Sequence, residues 1–323
     1  TAIGKFGRSL PRLPPAQRGT ATAKAALKLS GLNPQELDHS VYGHIITTAP
    51  QDAYLARQIA LEAGAPVTSA AFNVNRLCGS GVQAIISAAQ MLEAGDGNFA
   101  LAGGAESMSQ GAYLLPRVRS GLRMGDSNVT DLTLGILSDP FGSGHMGVTA
   151  ENIAAKYGFT REELDAFAQQ SHQKAAAAIE AGHFASQITP VTVKLGRQEV
   201  EINQDEQIRA EVSLEDLAKL RPAFKKDGLV TAGNASSLND GAASLVLATA
   251  DAAQAKGLKP VARLVSCAFS GVEPELMGLG PITAVPKALE QAGLTLEDID
   301  VIESNEAFAA QAMAVAQDLN FNP

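Results

Sequence analysis

Cys78 stands in the run NVNRLCGSGVQAI, between a strand-like stretch and an apolar, helix-like one, and is followed by Gly79, Ser80 and Gly81. A sulfur at the start of a helix meets the positive end of the helix dipole and unpaired backbone N–H groups, which favour the thiolate. The same N–H groups suit an oxyanion developing on an attacked carbonyl. The glycines leave room for an extended substrate to approach the backbone. Position and spacing fit a small core residue equally well, because free cysteine is among the most buried residue types. Both readings stay open at this level. Cys267, in RLVSCAFSG, has no comparable surroundings and is expected on a core strand. His39, His44, His172 and His183 follow no metal-ligand spacing, so no metal site is expected.

The elements that would carry Cys78 read as an alternation of helices and strands. Residues 16–31 predict a helix stopped by Gly31, followed by a strand at SVYGHII and a helix at AYLARQIALEAG. TSAAFNVN reads as a strand, GVQAIISAAQMLEAG as a helix and NFALAGGAES as a buried strand, which together predict a largely parallel α/β sheet. Residues 111–239 differ: short polar segments, an acidic amphipathic helix at TREELDAFAQQSHQKAAAAIEAG and a strand-like ITPVTVKL suggest an insertion. GAASLVLATA then returns to core composition. The expected division is 1–110 plus 240–260 as one half, 111–239 as an inserted loop domain, and 261–323 as a second half.

Composition narrows the function classes. The 323 residues are 46% hydrophobic and 18% charged, ample for a layered core. A net charge of −9 lacks the basic face of a nucleic-acid binder. Polar residues interrupt every apolar run before about 18 positions, so no membrane span is expected. Two distant cysteines make no disulfide framework and the first residues do not read as a signal peptide, which points to a cytoplasmic setting.

An internal repeat supports duplication. ALKLSGLNPQELDHSVYG (26–43) aligns with ALEQAGLTLEDIDVIESN (288–305), so that Ala26, Leu27, Gly31, Leu32 and Asp38 recur as Ala288, Leu289, Gly293, Leu294 and Asp300. In this register Pro323 corresponds to Leu61, and nothing in the second half answers the segment that carries Cys78. The expectation is a second half that is truncated, with a few residues also absent ahead of Thr1.

Seven motifs in order, NVNRLCGSGVQAI, LAGGAESMS, HMGVTAENIA, KLRPAF, TAGNASSLNDGAA, GLGPITAVPKAL and ESNEAFAAQA, resemble the thiolase family of acetyl-CoA acetyltransferases and 3-ketoacyl-CoA thiolases. The resemblance runs from TAIGKFG to the last residue. It implies duplicated α/β halves layered αβαβα, with a large inserted loop domain. It places the acylated nucleophile at Cys78, and at Asn305 the asparagine that positions an oxyanion-hole water. From the residues alone, Asn305 also suits a helix N-cap. The resemblance further implies that His145, Met146, Arg209, Phe224, Ala232, Ser236, Ala307 and Phe308 line the acyl-CoA site, Arg209 being chemically suited to phosphates. Asp216 stands where some relatives carry a small hydroxyl residue near the adenine, which leaves that contact open.

The activity implied is reversible condensation of two acetyl-CoA to acetoacetyl-CoA plus CoA, or thiolysis of a 3-ketoacyl-CoA, through an S-acyl-cysteine. Coenzyme A is a substrate, with no covalently bound cofactor. A homo-oligomer is implied, a dimer or a tetramer whose contacts involve DLTLGILSDPFG. A broader-range 3-ketoacyl-CoA thiolase, a decarboxylating ketoacyl synthase and a non-catalytic CoA- or lipid-binding relative are the alternatives, and NEAF speaks against the synthase. The family's GHP histidine and CxGGG cysteine have no match in the sequence, so this polypeptide is expected to show no more than trace thiolysis.

Overall fold

Along FALAGGAES, Phe99 and Leu101 face one set of helices while Ala100 and Ala102 face another. Side chains alternate across a strand, so an apolar run without polar interruption is a strand covered on both faces. The computed structural model, which describes residues 1–321, resolves into two compact units. The first comprises residues 1–133, 184–207 and 238–263, and the second 134–183, 208–237 and 264–323. Residues 111–239, expected as one inserted domain, contribute to both.

The first unit is built on a five-stranded sheet of β1 (Gly4–Lys5), β2 (His39–Gly43), β3 (Ala70–Val74), β4 (Phe99–Ser107) and β9 (Asn239–Ala248), in the order β1-β9-β4-β2-β3. β3, β2 and β4 run parallel, as the alternation with helices predicts. β9 pairs antiparallel with β4 and with β1, so the sheet is mixed and not largely parallel throughout. β2 stops at Gly43, short of the predicted SVYGHII, because the Ile45 and Ile46 N–H groups donate to the Glu106 carboxylate.

Helix α1 (Pro15–Ser30) opens with proline in its first turn and closes on Gly31 at φ 74°, the left-handed conformation that glycine adopts at least cost. With α2 (Leu55–Glu62) it covers one face, where Leu27, Leu55 and Ile59 pack on Tyr42 and Leu101. Helix α3 (Ser80–Glu93) covers the other, setting Ala84, Ala88 and Leu92 against Val41, Ala100 and Ala102. Burying a leucine or isoleucine fully contributes about 1.5–3 kcal/mol. Smaller pieces of the unit are β5 (Tyr113–Leu114) with β6 (Thr130–Asp131), the hairpin β7 (Val191–Leu195) with β8 (Gln198–Ile202), and α8 (Ala250–Ala255).

Helix α4 (Leu132–Ile136) spans the boundary between the units as the chain runs. The second unit holds α5 (Met146–Tyr157), α6 (Arg161–Glu180), α7 (Leu214–Ala218), α9 (Gly280–Ala292) and α10 (Ala309–Asp318). Its core is helical: Ile153 and Ala154 of α5, Leu164 of α6 and Ala309, Ala310 and Ala314 of α10 pack with Leu279. Among the described residues this unit contains no strand. Cys267 is therefore not on a core strand; it lies half-buried in a stretch without regular secondary structure.

Candidate active site

Cys78 belongs to the first unit, in the loop that joins β3 to α3. The structure leaves it a free, exposed cysteine, which sets aside the reading of a packed core residue. It precedes the helix cap Gly79, so the sulfur-bearing residue lies just outside the first turn. The turn ahead of it is forced. Leu77 adopts φ 47°, a left-handed conformation uncommon for a residue with a branched side chain. Ser80 holds it there: its hydroxyl accepts from Arg76 N at 2.8 Å and donates to Leu77 O at 2.6 Å, while its own N–H reaches Leu77 O at 2.9 Å. Asn75 Oδ1 accepts from Leu77 N at 2.9 Å.

Glycines bring strand end and helix start together. A Cβ on Gly43, at the end of β2, would lie 2.6 Å from the Ser80 carbonyl carbon, so any larger residue would push α3 away. A Cβ on Gly81 would meet nothing within 4 Å, which is the open space expected beside a thiol that receives a substrate. Functional residues of parallel α/β sheets gather at the carboxyl ends of the strands, where this loop lies.

A set of buried charged residues in the first unit escaped the sequence reading. His44, Asp52, Arg18 and Asp240 are buried, with Glu106 partly so. Arg18 Nη1 lies 3.8 Å from Asp240 Oδ1 and none of its guanidinium nitrogens has a hydrogen-bond partner. Asp240 accepts from the Ser107 hydroxyl and Ser109 N. A charged residue closing an apolar strand run, as Glu106 does in LAGGAES, was the available signal.

The other candidates belong to the second unit. His145 caps α5, its Nδ1 accepting from Gly147 N at 3.0 Å, and burial holds the imidazole below its ordinary pKa. A neutral ring with Nδ1 as acceptor keeps its proton on Nε2. His145 stacks on Phe224 at 4.6 Å between ring centroids, and Phe224 meets Phe308 edge-on at 6.3 Å. Gly147 makes this possible, since a Cβ there would sit 2.2 Å from the Phe224 ring. Met146, the first residue of α5, is half-buried.

The TAGNASS turn is laced to NEAF. Ser236 N donates to Ala307 O at 2.9 Å, Ala309 N donates to Asn234 O at 3.0 Å, and Ala235 bridges Phe308. Asn234 is itself fixed, accepting from Thr231 N and donating to the buried Asp165. Ala232 and Ser236 are exposed on this turn. Asn305 is exposed and is no N-cap: α10 begins four residues later, with Phe308 as its cap. Glu306 beside it accepts from the Ser171 hydroxyl at 2.5 Å. Arg209 is exposed, and its N–H donates to His172 Nδ1 at 3.3 Å. Burial and then Arg209 lower the His172 pKa, against a pull upward from Glu306. Asp216 accepts from its own helix cap Ser213 and from Lys219.

The structure thus gathers His145, Phe224, Ser236, Ala307 and Phe308 into one cluster. The models for the thiolase N-terminal domain and the thiolase C-terminal domain match residues 1–251 and 258–323 respectively. The chain belongs to the thiolase family. It is 49% identical over 324 residues to the beta-ketothiolase BktB of Cupriavidus necator, covering 100% of this chain and 82% of that protein. An acetyl-CoA acetyltransferase of Pseudomonas aeruginosa is 48% identical with the same coverage. Among solved structures, the acetyl-CoA acetyltransferase of Bacillus anthracis superposes with a TM-score of 0.96 at 43% identity, covering 100% of this chain and 82% of the other. Human mitochondrial 3-ketoacyl-CoA thiolase in complex with CoA gives 0.95 at 40% identity, with 100% and 81% covered. Both domain models are matched, so the expectation of a missing segment draws no support from them.

Proposed function

We propose that this thiolase is an acyl-CoA C-acyltransferase that works through an S-acyl intermediate on Cys78. The single observation that carries the reading is the loop itself: an exposed thiol held just ahead of α3 by a left-handed Leu77 and the Ser80 hydroxyl. In the first half-reaction the Cys78 thiolate adds to the acyl carbonyl of acetyl-CoA. The new C–S bond forms, the bond to the CoA sulfur breaks, and CoA leaves and takes a proton. In condensation a second acetyl-CoA gives up an α-proton, offsetting the one the departing CoA takes up, and its enolate forms a C–C bond to that acyl carbon and releases the Cys78 thiolate, giving acetoacetyl-CoA. Thiolysis is the reverse. The covalent intermediate divides one difficult transfer into two easier ones.

Asn305 positions an oxyanion-hole water, and the His145–Phe224–Phe308 cluster, with Met146, Ala232, Ser236 and Ala307, forms the wall for the acyl and pantetheine portions. Arg209 serves the phosphates. Residues 111–239 supply most of this wall, the sense in which they act as a CoA-holding loop domain. Support comes from the exposure of Arg209, Ala232, Ser236 and Asn305 and from the sequence motifs that carry them. A homo-oligomer and a reducing, cytoplasmic setting that keeps both cysteines as thiols complete the reading.

Intact-mass measurement after incubation with acetyl-CoA tests it. The expected result is one added acetyl group, mapped to the Cys78 peptide and absent from Cys78→Ser. An unmodified chain that still retains CoA would favour a non-catalytic binding protein.

A further inference from the structure

Just ahead of His145 the chain makes a small closed loop, DPFGSG, residues 139–144. Asp139 N donates to Gly144 O at 2.8 Å and joins its ends. Inside it, Asp139 Oδ1 accepts from Phe141 N at 2.8 Å, Gly142 N at 2.9 Å and Ser143 N at 3.0 Å. Successive N–H groups turned on one point form a nest for an anion, and here the anion is the loop's own first side chain. Burial pushes the Asp139 carboxyl up, but the Ser143 hydroxyl and these N–H groups outweigh it and leave it below its usual 3.8. The group is therefore a carboxylate at neutral pH. The backbone bends sharply to build the nest, with Gly142 at φ 106°.

The loop delivers His145. Met146 N donates to Leu137 O at 2.8 Å and Ser138 bridges His145 antiparallel, so the residues flanking the loop are pinned to each other. His145 then does two things at once: its Nδ1 caps α5 through Gly147 N, and its ring stacks on Phe224. Neither leaves room for a shift, because Gly147 also lies against the Phe224 ring. Electrostatics give the ring no separate hold: burial alone lowers its pKa, with no charged group acting on it. The charged side chains of the elements packed here are engaged elsewhere. Glu151 of α5 accepts from Leu229 N and Val230 N, and Lys225 beside Phe224 donates to Asn152 Oδ1. The ring's direction is set by the backbone that brings it in.

We propose that Asp139 is a positioning residue for His145: its carboxylate folds the 139–144 loop on itself, and the folded loop sets the imidazole between the start of α5 and the Phe224 ring. The consequence for activity rests on this cluster walling the acyl-CoA site, but the ring itself is read without substrate.

The imidazole C–H resonances of the whole chain test it. Those of His145 are identified by their loss in His145→Gln, with His39, His44, His172 and His183 as references. In the wild type, stacking on Phe224 moves the His145 signals upfield and the ring titrates below 6.5. Asp139→Ala should abolish the upfield displacement and raise the midpoint toward 6.5, while the four references hold. Asp139→Asn keeps an oxygen for the three N–H groups and should keep both features. In exchange of labelled CoA into acetyl-CoA, Asp139→Ala should raise KM about three- to tenfold, the size of one lost helix cap, with kcat within about twofold. Unmoved His145 signals in Asp139→Ala, or equal changes at all five histidines, overturn the proposal. If Asp139→Ala does not fold, Gly142→Ala decides it by opposing the same backbone: it should displace the His145 ring alone, and an unmoved ring overturns the proposal. Absence of exchange in the wild type would instead count against the acyl-transfer reading and leave the ring signals to decide.

Discussion

The two copies of the internal repeat share their local structure and part ways where structure ceases to be local. In the first, α1 ends on Gly31 at φ 74°, a 3-10 turn follows at Pro34–Glu36 capped by Asn33, and β2 begins at His39. In the second, α9 ends on Gly293 at φ 67° and a 3-10 turn follows at Leu296–Asp298, with Thr295 and Asp298 closing a capping box. Residues 299–305 then form no strand ladder among the described residues, whereas β2 is laddered on both sides by β3 and β4. Burial follows pairing: Leu32 is 4% exposed and its counterpart Leu294 39%, while Val301 is 77% exposed. Caps and glycines encode a helix end by themselves; a strand exists only with its neighbours.

The repeat register also aligns the residues that follow these segments. Gly43, which packs against the Ser80 backbone, and His44 correspond to Asn305 and Glu306. At this end the first copy has buried carboxylates and a histidine. In the second, Glu306 accepts from the Ser171 hydroxyl and acts on His172.

This contrast can be broken by substitutions placed in each copy. The largest effect is expected in the buried layer. Arg18→Met leaves Asp240 and Glu106 as uncompensated charges and should cost about 3–5 kcal/mol, whereas Arg18→Met combined with Asp240→Asn should recover most of that. Urea midpoints of both variants would show it, and equal losses would refute the ion-pair account. Leu37→Ala, at a fully packed position, should cost about 2–5 kcal/mol, while Val301→Ala in the second copy should stay within about 0.5 kcal/mol. Similar costs at the two sites would mean that 299–305 is packed after all. Gly31→Ala and Gly293→Ala should each cost about 1–2 kcal/mol, nearly alike, because both penalties arise from the left-handed backbone and not from neighbours; hydrogen exchange at each helix end reads them separately.

The pH dependence has a sign in each of two ranges. Burial raises the Asp52 carboxyl, but the Thr48 and Ala49 donors and His44 outweigh it and leave the group below its usual 3.8. Its stabilisation is therefore complete above that value and is lost as pH falls through the lower folded one. Glu106 is raised above 4.5 by burial, so its protonated form favours the fold and that contribution is lost as pH rises through the folded value. Asp52→Asn should flatten the acid limb of a stability profile, and Glu106→Gln the limb on which the Glu106 carboxyl, raised by burial, loses its proton.

Much of the first unit was legible in the sequence, and for physical reasons. Gly31 marked a helix end, FALAGGAES a doubly covered strand, and GVQAIISAAQMLEAG the helix behind Cys78. The antiparallel seat of β9 was not legible, since GAASLVLATA states burial but not direction. Nor was the turn at Leu77, because leucine carries no left-handed preference; three bonds from Ser80 impose it. The buried Arg18 and His44 were hidden by the expectation that charge lies at the surface, and Cys267 by the expectation that an apolar run finds a sheet. The neighbours of Cys78 left a nucleophile and a core residue equally open, and its exposure in the structure sets the core residue aside.

The most direct measurement of the central claim is exchange of labelled CoA into unlabelled acetyl-CoA, catalysed by the purified chain. It requires only that Cys78 take and return the acetyl group. Exchange by the wild type, abolished in Cys78→Ser, is the result this account predicts. No exchange by the wild type, or exchange that survives Cys78→Ser, would contradict it.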